Sequence, residues 1–172
     1  REYTEDTLTV WNLETSAHTN LETDGRAIDL EPAAGPLSAF VNLTSGQIVR
    51  VSTAGEILTQ FSFAGLAVQC LAVSPDGETL AVVGQVDQAA RGSDFTCRIL
   101  SSQTGEILRE FELAVPGEVM DLAYTSDGTR LIACGGTELE QYASASNRRK
   151  NGAIVVDAKT GEELDMLNFI GR

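Results

Sequence analysis

The sequence predicts an all-β chain built from repeated four-stranded antiparallel units, and three observations support this prediction. Glycine-led segments recur at Gly55-Glu56-Ile57, Gly105-Glu106-Ile107 and Gly161-Glu162-Glu163, with the glycines 50 and 56 residues apart. A second marker, which ends at Asp76-Gly77, recurs 51 residues later and ends at Asp127-Gly128. Apolar residues come in short runs bounded by turn residues, and this pattern indicates strands rather than helices.

Each repeat is interpreted as two consecutive β-hairpins. Asp76-Gly77 and Asp127-Gly128 each join two apolar runs, and Asp-Gly favours a tight hairpin because glycine tolerates a positive φ. A second hairpin turns at Thr104-Gly105 and again at Thr160-Gly161. Two hairpins in roughly 50 residues, repeated along the chain, are typical of the four-stranded blade of a β-propeller.

Residues 1–172 are therefore expected to form a single partial propeller. It divides into a half blade over 1–23 and complete blades over 27–63, 68–113 and 119–169. Closed propellers have about four to eight blades, so the ring is predicted to be incomplete. The half blade begins with its third strand, and the edge of that strand would be bare. Three explanations stay open: a fragment of a longer protein, which we rank first, completion by a different chain, or association of two copies.

The turn segments resemble the WD-repeat signature, in which an aromatic or aliphatic residue and Asp precede Thr-Gly. The segments that carry the resemblance begin at Trp11-Asn12 and Val156-Asp157, with weaker copies at Leu100–Gly105 and Arg50–Gly55. The resemblance implies a propeller whose signature positions are Trp11, Asn12, Asp76, Gly77, Gly105, Asp127, Gly128, Asp157 and Gly161. The Gly-His pair of that family is missing, because the single histidine, His18, does not follow a glycine.

No set of residues suited to catalysis is found in the sequence. One histidine is too few for a metal or haem cluster, and no Gly-x-Ser-x-Gly segment marks a nucleophile. Gly135-Gly136 follows an apolar run and does not lead into a helix, so it is not a phosphate-binding loop. We therefore expect no catalytic, metal-binding or cofactor-binding residues and no enzymatic activity.

Charge and cysteine content restrict the partners and the compartment. The net charge of −13 disfavours binding to nucleic acids and to anionic membranes. Cys70, Cys97 and Cys134 show no CxxC spacing, and we expect them to be buried free thiols, which favours a cytoplasmic over an extracellular location. A glycosylation sequon at Asn42-Leu43-Thr44 is an isolated signal, so the compartment is left unassigned.

One loop concentrates basic residues. Arg148, Arg149 and Lys150 are three of the 12 basic residues and follow Tyr142 in a long loop between the second and third strands of the last blade. Arg91 lies in the corresponding loop one blade earlier. These five residues are the predicted partner-binding set, although a loop that is merely solvated stays the competing interpretation.

The expected function is that of a non-catalytic protein–protein interaction scaffold, part of a larger propeller or assembly. Self-association, or association with a chain that completes the ring, is expected alongside a protein partner. The alternative is a fragment of a lactonase-like or dehydrogenase-like propeller enzyme whose catalytic residues lie outside this chain. Trp11 and Val156 are predicted to fill the core-facing position of a third strand.

Overall fold

The computed structural model describes residues 7–33, 38–63, 65–86, 94–115, 118–136 and 150–170. Every regular element in these ranges is a β-strand. The strands are β1 (Thr7–Trp11), β2 (His18–Glu22), β3 (Ala27–Pro32), β4 (Ser38–Leu43), β5 (Gln47–Ser52), β6 (Ile57–Ser62), β7 (Ala67–Val73), β8 (Thr79–Gln85), β9 (Asp94–Ser101), β10 (Ile107–Ala114), β11 (Glu118–Tyr124), β12 (Arg130–Gly136), β13 (Lys150–Asp157) and β14 (Glu163–Ile170).

The strands form one two-stranded and three four-stranded antiparallel sheets. Strands β1 and β2 pair as the half blade, β3–β6 form blade 1, β7–β10 form blade 2, and β11–β14 form blade 3. In each complete blade neighbouring strands are consecutive in sequence, as expected for two linked hairpins. The prediction of propeller blades in an incomplete ring is confirmed.

The first strand of each blade is the innermost. Strand β7 lies against β3 on one side and β11 on the other, so the first strands gather where the blades converge. Each inner strand contains a register shift near its start, between Ala27 and Asp29, Val68 and Cys70, and Val119 and Asp121. Such bulges increase the local twist and leave backbone groups unpaired with the adjacent strand.

The core lies between the blades. One cluster of buried apolar side chains joins blades 2 and 3, and includes Phe95, Ile99 and Leu131. A second cluster joins blades 1 and 2 around Phe40 and Leu80. A third, smaller cluster lies between blade 1 and the half blade. Each blade therefore stabilises its neighbour by burying apolar surface.

Candidate interaction faces

The predicted basic partner-binding loop lies largely outside the described residues. Arg91, Tyr142, Arg148 and Arg149 fall in undescribed ranges, and Lys150 is described only as the first residue of β13. Their role stays a prediction.

The two Asp-Gly signature turns are stabilised by their aspartates. Asp127 Oδ1 accepts hydrogen bonds from the hydroxyls of Thr125 and Thr129 and from the amide of Thr129, at 2.6 to 3.0 Å. These bonds lower the pKa of Asp127 to about 2. Asp76 accepts from the Ser74 hydroxyl and the Glu78 amide, and its pKa is lowered by the same two bonds. Both residues therefore fix the geometry of a hairpin.

The turns that join the third and fourth strands follow a similar plan. Asp157 Oδ1 accepts hydrogen bonds from the amides of Lys159 and Thr160, and Asn12 Oδ1 accepts from the amides two and three residues onward. Bonds with Thr160 are the main reason that the pKa of Asp157 is lowered. In blade 1 the expected register is wrong by one residue. The Gly55 amide donates to Ser52, three residues back, whereas the Gly105 amide donates to Ser101, four residues back.

The signature glycines Gly105 and Gly161 connect adjacent blades. Both have positive φ, and a Cβ built on Gly161 would lie 2.5 Å from the ring of Phe111 in the preceding blade. The Gly105 position meets Phe61 of blade 1 in the same way. The glycine therefore allows the turn and also admits a neighbouring aromatic ring, and only its role in the turn was predicted from the sequence.

Two side chains of blade 1 bind the backbone of blade 2 at its bulge. The Leu71 amide donates to Asp29 Oδ2 at 2.9 Å, and the Asn42 side-chain amide donates to the Val68 carbonyl at 3.1 Å. The bulge disturbs the pairing of β7 with β8. Side chains of blade 1 therefore supply hydrogen-bond partners for backbone groups of β7. Asn42 is fully buried in this contact, so it does not present its sequon to solvent.

Sequence reasoning missed this inter-blade contact. Asp29 precedes Leu30 as Asp121 precedes Leu122, at matching positions after the bulge. The repeated Asp-Leu pair is the sequence signal of this contact.

The inner strands bring carboxylates close together. Burial raises the pKa of Glu31, and the charges of Asp29 and Asp121 raise it further. However, Asp29 Oδ1 and Asp121 Oδ1 also accept hydrogen bonds from the following amides, those of Leu30 and Leu122, at 2.9 Å. These two carboxylates are therefore hydrogen-bond acceptors for backbone amides of the inner strands. No group of three potential metal ligands is found in the described part of the chain.

The half blade and the three blades form an open arc. Its first end face lies beside the half blade and includes Leu8, Val10 and Leu30. A groove of about 400 Å³ opens between the half blade and blade 1, where Leu8 and Val10 oppose Leu30, Pro32 and others. The groove is lined mainly by apolar side chains of β1, β3 and β4, together with the end of β5 and the turn that follows it. Strand β1 pairs only with β2 among the described strands.

The exposure of Leu30 depends on its place in the arc. Leu30, Leu71 and Leu122 occupy the same position after the bulge of each inner strand. Leu71 is 1% exposed because blade 1 covers it, whereas Leu30 is 52% exposed. The same residue type at the same repeat position therefore loses its cover only at the end of the arc.

The expected core position of Trp11 is wrong. Trp11 is 57% exposed and stacks on His18 with 4.7 Å between ring centroids. Leu100 and Val156, which precede the corresponding turns in blades 2 and 3, are buried, and for Val156 the expectation agrees with the structure. Each of them pairs with an apolar residue of a second strand, Leu80 or Leu131, and no described second strand stands beside β1.

The second end face belongs to blade 3. Met120 is 71% exposed there, and Asp121, which matches Asp29 of blade 1, is exposed as well. The expectation that all three cysteines are buried is wrong for Cys134, which is exposed. It occupies the position of Asn42 and Val83, which are covered by the following blade.

Comparison with known proteins supports the fold and leaves the family open. No family model matches the sequence, and no curated protein matches it. Among solved structures, the chain is similar to Kuenenia stuttgartiensis hydrazine synthase at 13% sequence identity and a TM-score of 0.75. The match covers 96% of this chain and 48% of that one, so the chain spans about half the length of its structural neighbour. Also, no helix long and apolar enough to cross a membrane occurs in the described residues.

Proposed function

We propose that this chain is a non-catalytic protein-interaction module of the WD-like propeller type, and that its two end faces bind further protein. The observation that carries the proposal is the contrast between Leu71, 1% exposed between blades, and Leu30, 52% exposed at the end face. Apolar surface that is buried at every internal blade boundary favours a protein neighbour at the ends as well.

The shape of the first end face favours a β-hairpin as the partner. The strands of the half blade, β1 and β2, correspond to the third and fourth strands of a complete blade. The groove beside Leu8, Val10 and Leu30 lies where the first and second strands of that blade would be. A β-hairpin with alternating apolar residues would pair with the free edge of β1 and cover Leu30. Its source is either the remainder of a longer polypeptide or another chain.

The second end face repeats the hydrogen-bond acceptor that joins blades 1 and 2. Asp29 accepts the Leu71 amide across the boundary between blades 1 and 2, and Asp121 has the matching position on blade 3. We expect Asp121 to accept an amide from the inner strand of a further blade, with Met120 and Cys134 becoming buried around it.

Association in solution tests this proposal. We expect light scattering to give a molar mass above 18.3 kDa that rises with concentration, because the exposed end faces bury one another. Leu30→Lys and Met120→Lys should both lower the mass. Leu58→Lys is the matched control, because Leu58 is 48% exposed on the outer strand β6, away from the end faces. A monomer at all concentrations, or equal effects of all three changes, would contradict the proposal.

The basic loop supplies a second, separate test of the scaffold. Reversal of Arg148, Arg149 and Lys150 to Glu is expected to leave the fold intact and to weaken capture of a partner with an acidic surface. Thermal unfolding checks the first expectation and pull-down of a defined partner the second. Equal capture by both forms removes the loop from the interaction surface.

A propeller-enzyme fragment is the second candidate function. The gathering of Glu31, Asp29 and Asp121 near the inner strands favours it, as titratable groups at a convergent position are typical of catalytic sites. Because Asp29 and Asp121 bind backbone amides, we propose a structural role for them and place any reacting groups outside this chain.

A further inference from the structure

The cleft between blades 2 and 3 differs in charge from its counterpart one blade earlier. It encloses about 360 Å³, within the range of small-ligand sites. Its lining combines hydroxyl-bearing, basic and apolar residues: Thr79, Ile99, Arg109, Tyr124, Gly128, Thr129, Asp157, Ala158 and Lys159.

Tyr124 lines this cleft, and its hydroxyl has a partner on the adjacent blade. It is 3.3 Å from the hydroxyl of Thr79 across the boundary between the two blades. Burial raises the pKa of Tyr124 to about 12, the hydrogen bond with Thr79 opposes that shift, and the charges of Asp76 and Arg109 act in opposite directions. At neutral pH the phenol is therefore a neutral hydrogen-bond donor with a carboxylate and a cation in its surroundings.

The basic side chains of the cleft differ in how close an anionic group lies to them. Within the described ranges the ion pair formed at 4 Å or less is Arg98 with Glu110, which leaves Arg109 and Lys159 without one. Asp157 also lines the cleft, but its Oδ1 is already bonded to the amides of Lys159 and Thr160 in its own turn. The charge of Lys159 helps to lower the pKa of Asp157, so Arg109 is the cation of the cleft that is most available to a ligand.

The internal repeat provides a comparison for each of these residues. From the strand registers, Tyr124 corresponds to Val73 and Arg109 to Thr59 in the cleft between blades 1 and 2. From the turns, Thr129 corresponds to Glu78, because the amides of Ala158 and Ser102 donate to their respective carbonyls. Lys159 then corresponds to Gln103. The same registers and turns match Ile99 to Arg50 and Asp157 to Ser101. At these positions the cleft between blades 2 and 3 has two cations and one carboxylate, whereas its counterpart has one of each. The later cleft therefore gains one net positive charge and a phenol.

We propose that the cleft between blades 2 and 3 binds a small organic carboxylate. Arg109 and Lys159 attract its negative charge, and Tyr124 donates a hydrogen bond to it. The guanidinium of Arg109 suits a planar carboxylate. Ile99 and Ala158 offer an apolar wall for a short hydrocarbon body. The net charge of −13 disfavours more highly charged anions such as phosphate. This site is independent of whether the end faces bind protein.

Titration of the whole chain with sodium butyrate at low salt, followed in ¹H–¹⁵N spectra, tests the site. We expect saturable shifts of the Thr129 and Lys159 amides, with a dissociation constant on the order of 1 mM. The Glu78 and Gln103 amides of the other cleft serve as an internal control and should not shift. Shifts of equal size in both clefts, or no saturable shift, would overturn the proposal.

Two variants assign the binding to named groups. Arg109→Gln should weaken butyrate binding at least about tenfold, and Tyr124→Phe about fivefold, because one loses the charge and the other only a neutral hydrogen bond. Arg26→Gln is the matched control and should bind butyrate as the unaltered chain does, since Arg26 is exposed beside the half blade. Dispersed spectra confirm that each variant is folded. Unchanged affinity in Arg109→Gln, or equal affinity for inorganic phosphate, would refute the carboxylate assignment.

Discussion

At the residue scale, Gly161 leaves room for an aromatic ring of the adjacent blade. Gly161 combines a φ of +74° with the ring of Phe111 at 2.5 Å from any added Cβ. Gly46 has a φ of +82° but no atom within 4 Å of that position. Comparison of these two glycines separates the free-energy cost of a left-handed backbone from the cost of a collision between Cβ and a neighbouring side chain.

We predict that Gly161→Ala destabilises the chain more than Gly46→Ala does. The change at Gly46 should cost about 1 kcal/mol for the left-handed backbone. The change at Gly161 should cost about 1 to 3 kcal/mol more, because Phe111 must move. Urea unfolding measures both values. Equal losses of unfolding free energy in the two variants would mean that Phe111 moves without cost. The close contact of the Thr160-Gly161 turn with Phe111 would then not stabilise the packing of the two blades.

Asp127 is predicted to make the free energy of unfolding depend on pH. Its pKa is lowered to about 2 in the folded chain, so ionised Asp127 favours folding above its unfolded pKa of about 4. That contribution is lost as the pH falls from about 4 towards 2. Unfolding measured between pH 2 and pH 6 should show a steeper fall for the unaltered chain than for Asp127→Asn. Parallel pH curves would contradict the hydrogen-bonding role of Asp127.

At the element scale, the inner strands repeat one pattern in three different surroundings. β3, β7 and β11 share the bulge and the apolar residue that follows it, but β7 is covered on the side where β3 is open. Burial of a strand residue is therefore decided by the neighbouring blade, and not by the local sequence.

Leucine-to-alanine changes at two equivalent positions test this dependence. Leu71→Ala should cost about 2 to 5 kcal/mol, because it leaves a cavity between blades 1 and 2. Leu30→Ala should cost less than about 1 kcal/mol in the isolated chain, because its side chain is half exposed. Chemical unfolding of the two variants makes the comparison. A large cost at Leu30 would show that the first end face is already packed in solution.

The sequence predicted the strands and hairpins well because these depend on local features. Asp127-Gly128 and Thr160-Gly161 carry turn geometry in their own side chains and backbone. Trp11 and Cys134 were misplaced because their burial depends on blades that flank them in space. The partners of Asp29 and Tyr124 likewise lie on adjacent blades, 42 and 45 residues away in sequence.

At the scale of the whole molecule, the described chain is an arc with two fully packed blade boundaries, one partly packed boundary beside the half blade, and two open ends. Apolar clusters lie at the boundaries of the half blade with blade 1, of blade 1 with blade 2, and of blade 2 with blade 3. At the ends, Trp11 and Leu30 on one face and Met120 on the other stay exposed. We propose that the first open end accepts a β-hairpin.

The most direct measurement uses the fluorescence of Trp11, the single tryptophan of the chain. A copy of residues 118–136, the hairpin of β11 and β12, is fused ahead of the full chain through a flexible linker of about 10 residues. The control fusion carries serine at the copied positions of Leu122 and Leu131, which are buried in blade 3. We predict that only the intact hairpin completes the half blade, shifting Trp11 emission to shorter wavelength and raising the melting temperature. Identical emission and melting in both fusions would contradict the claim.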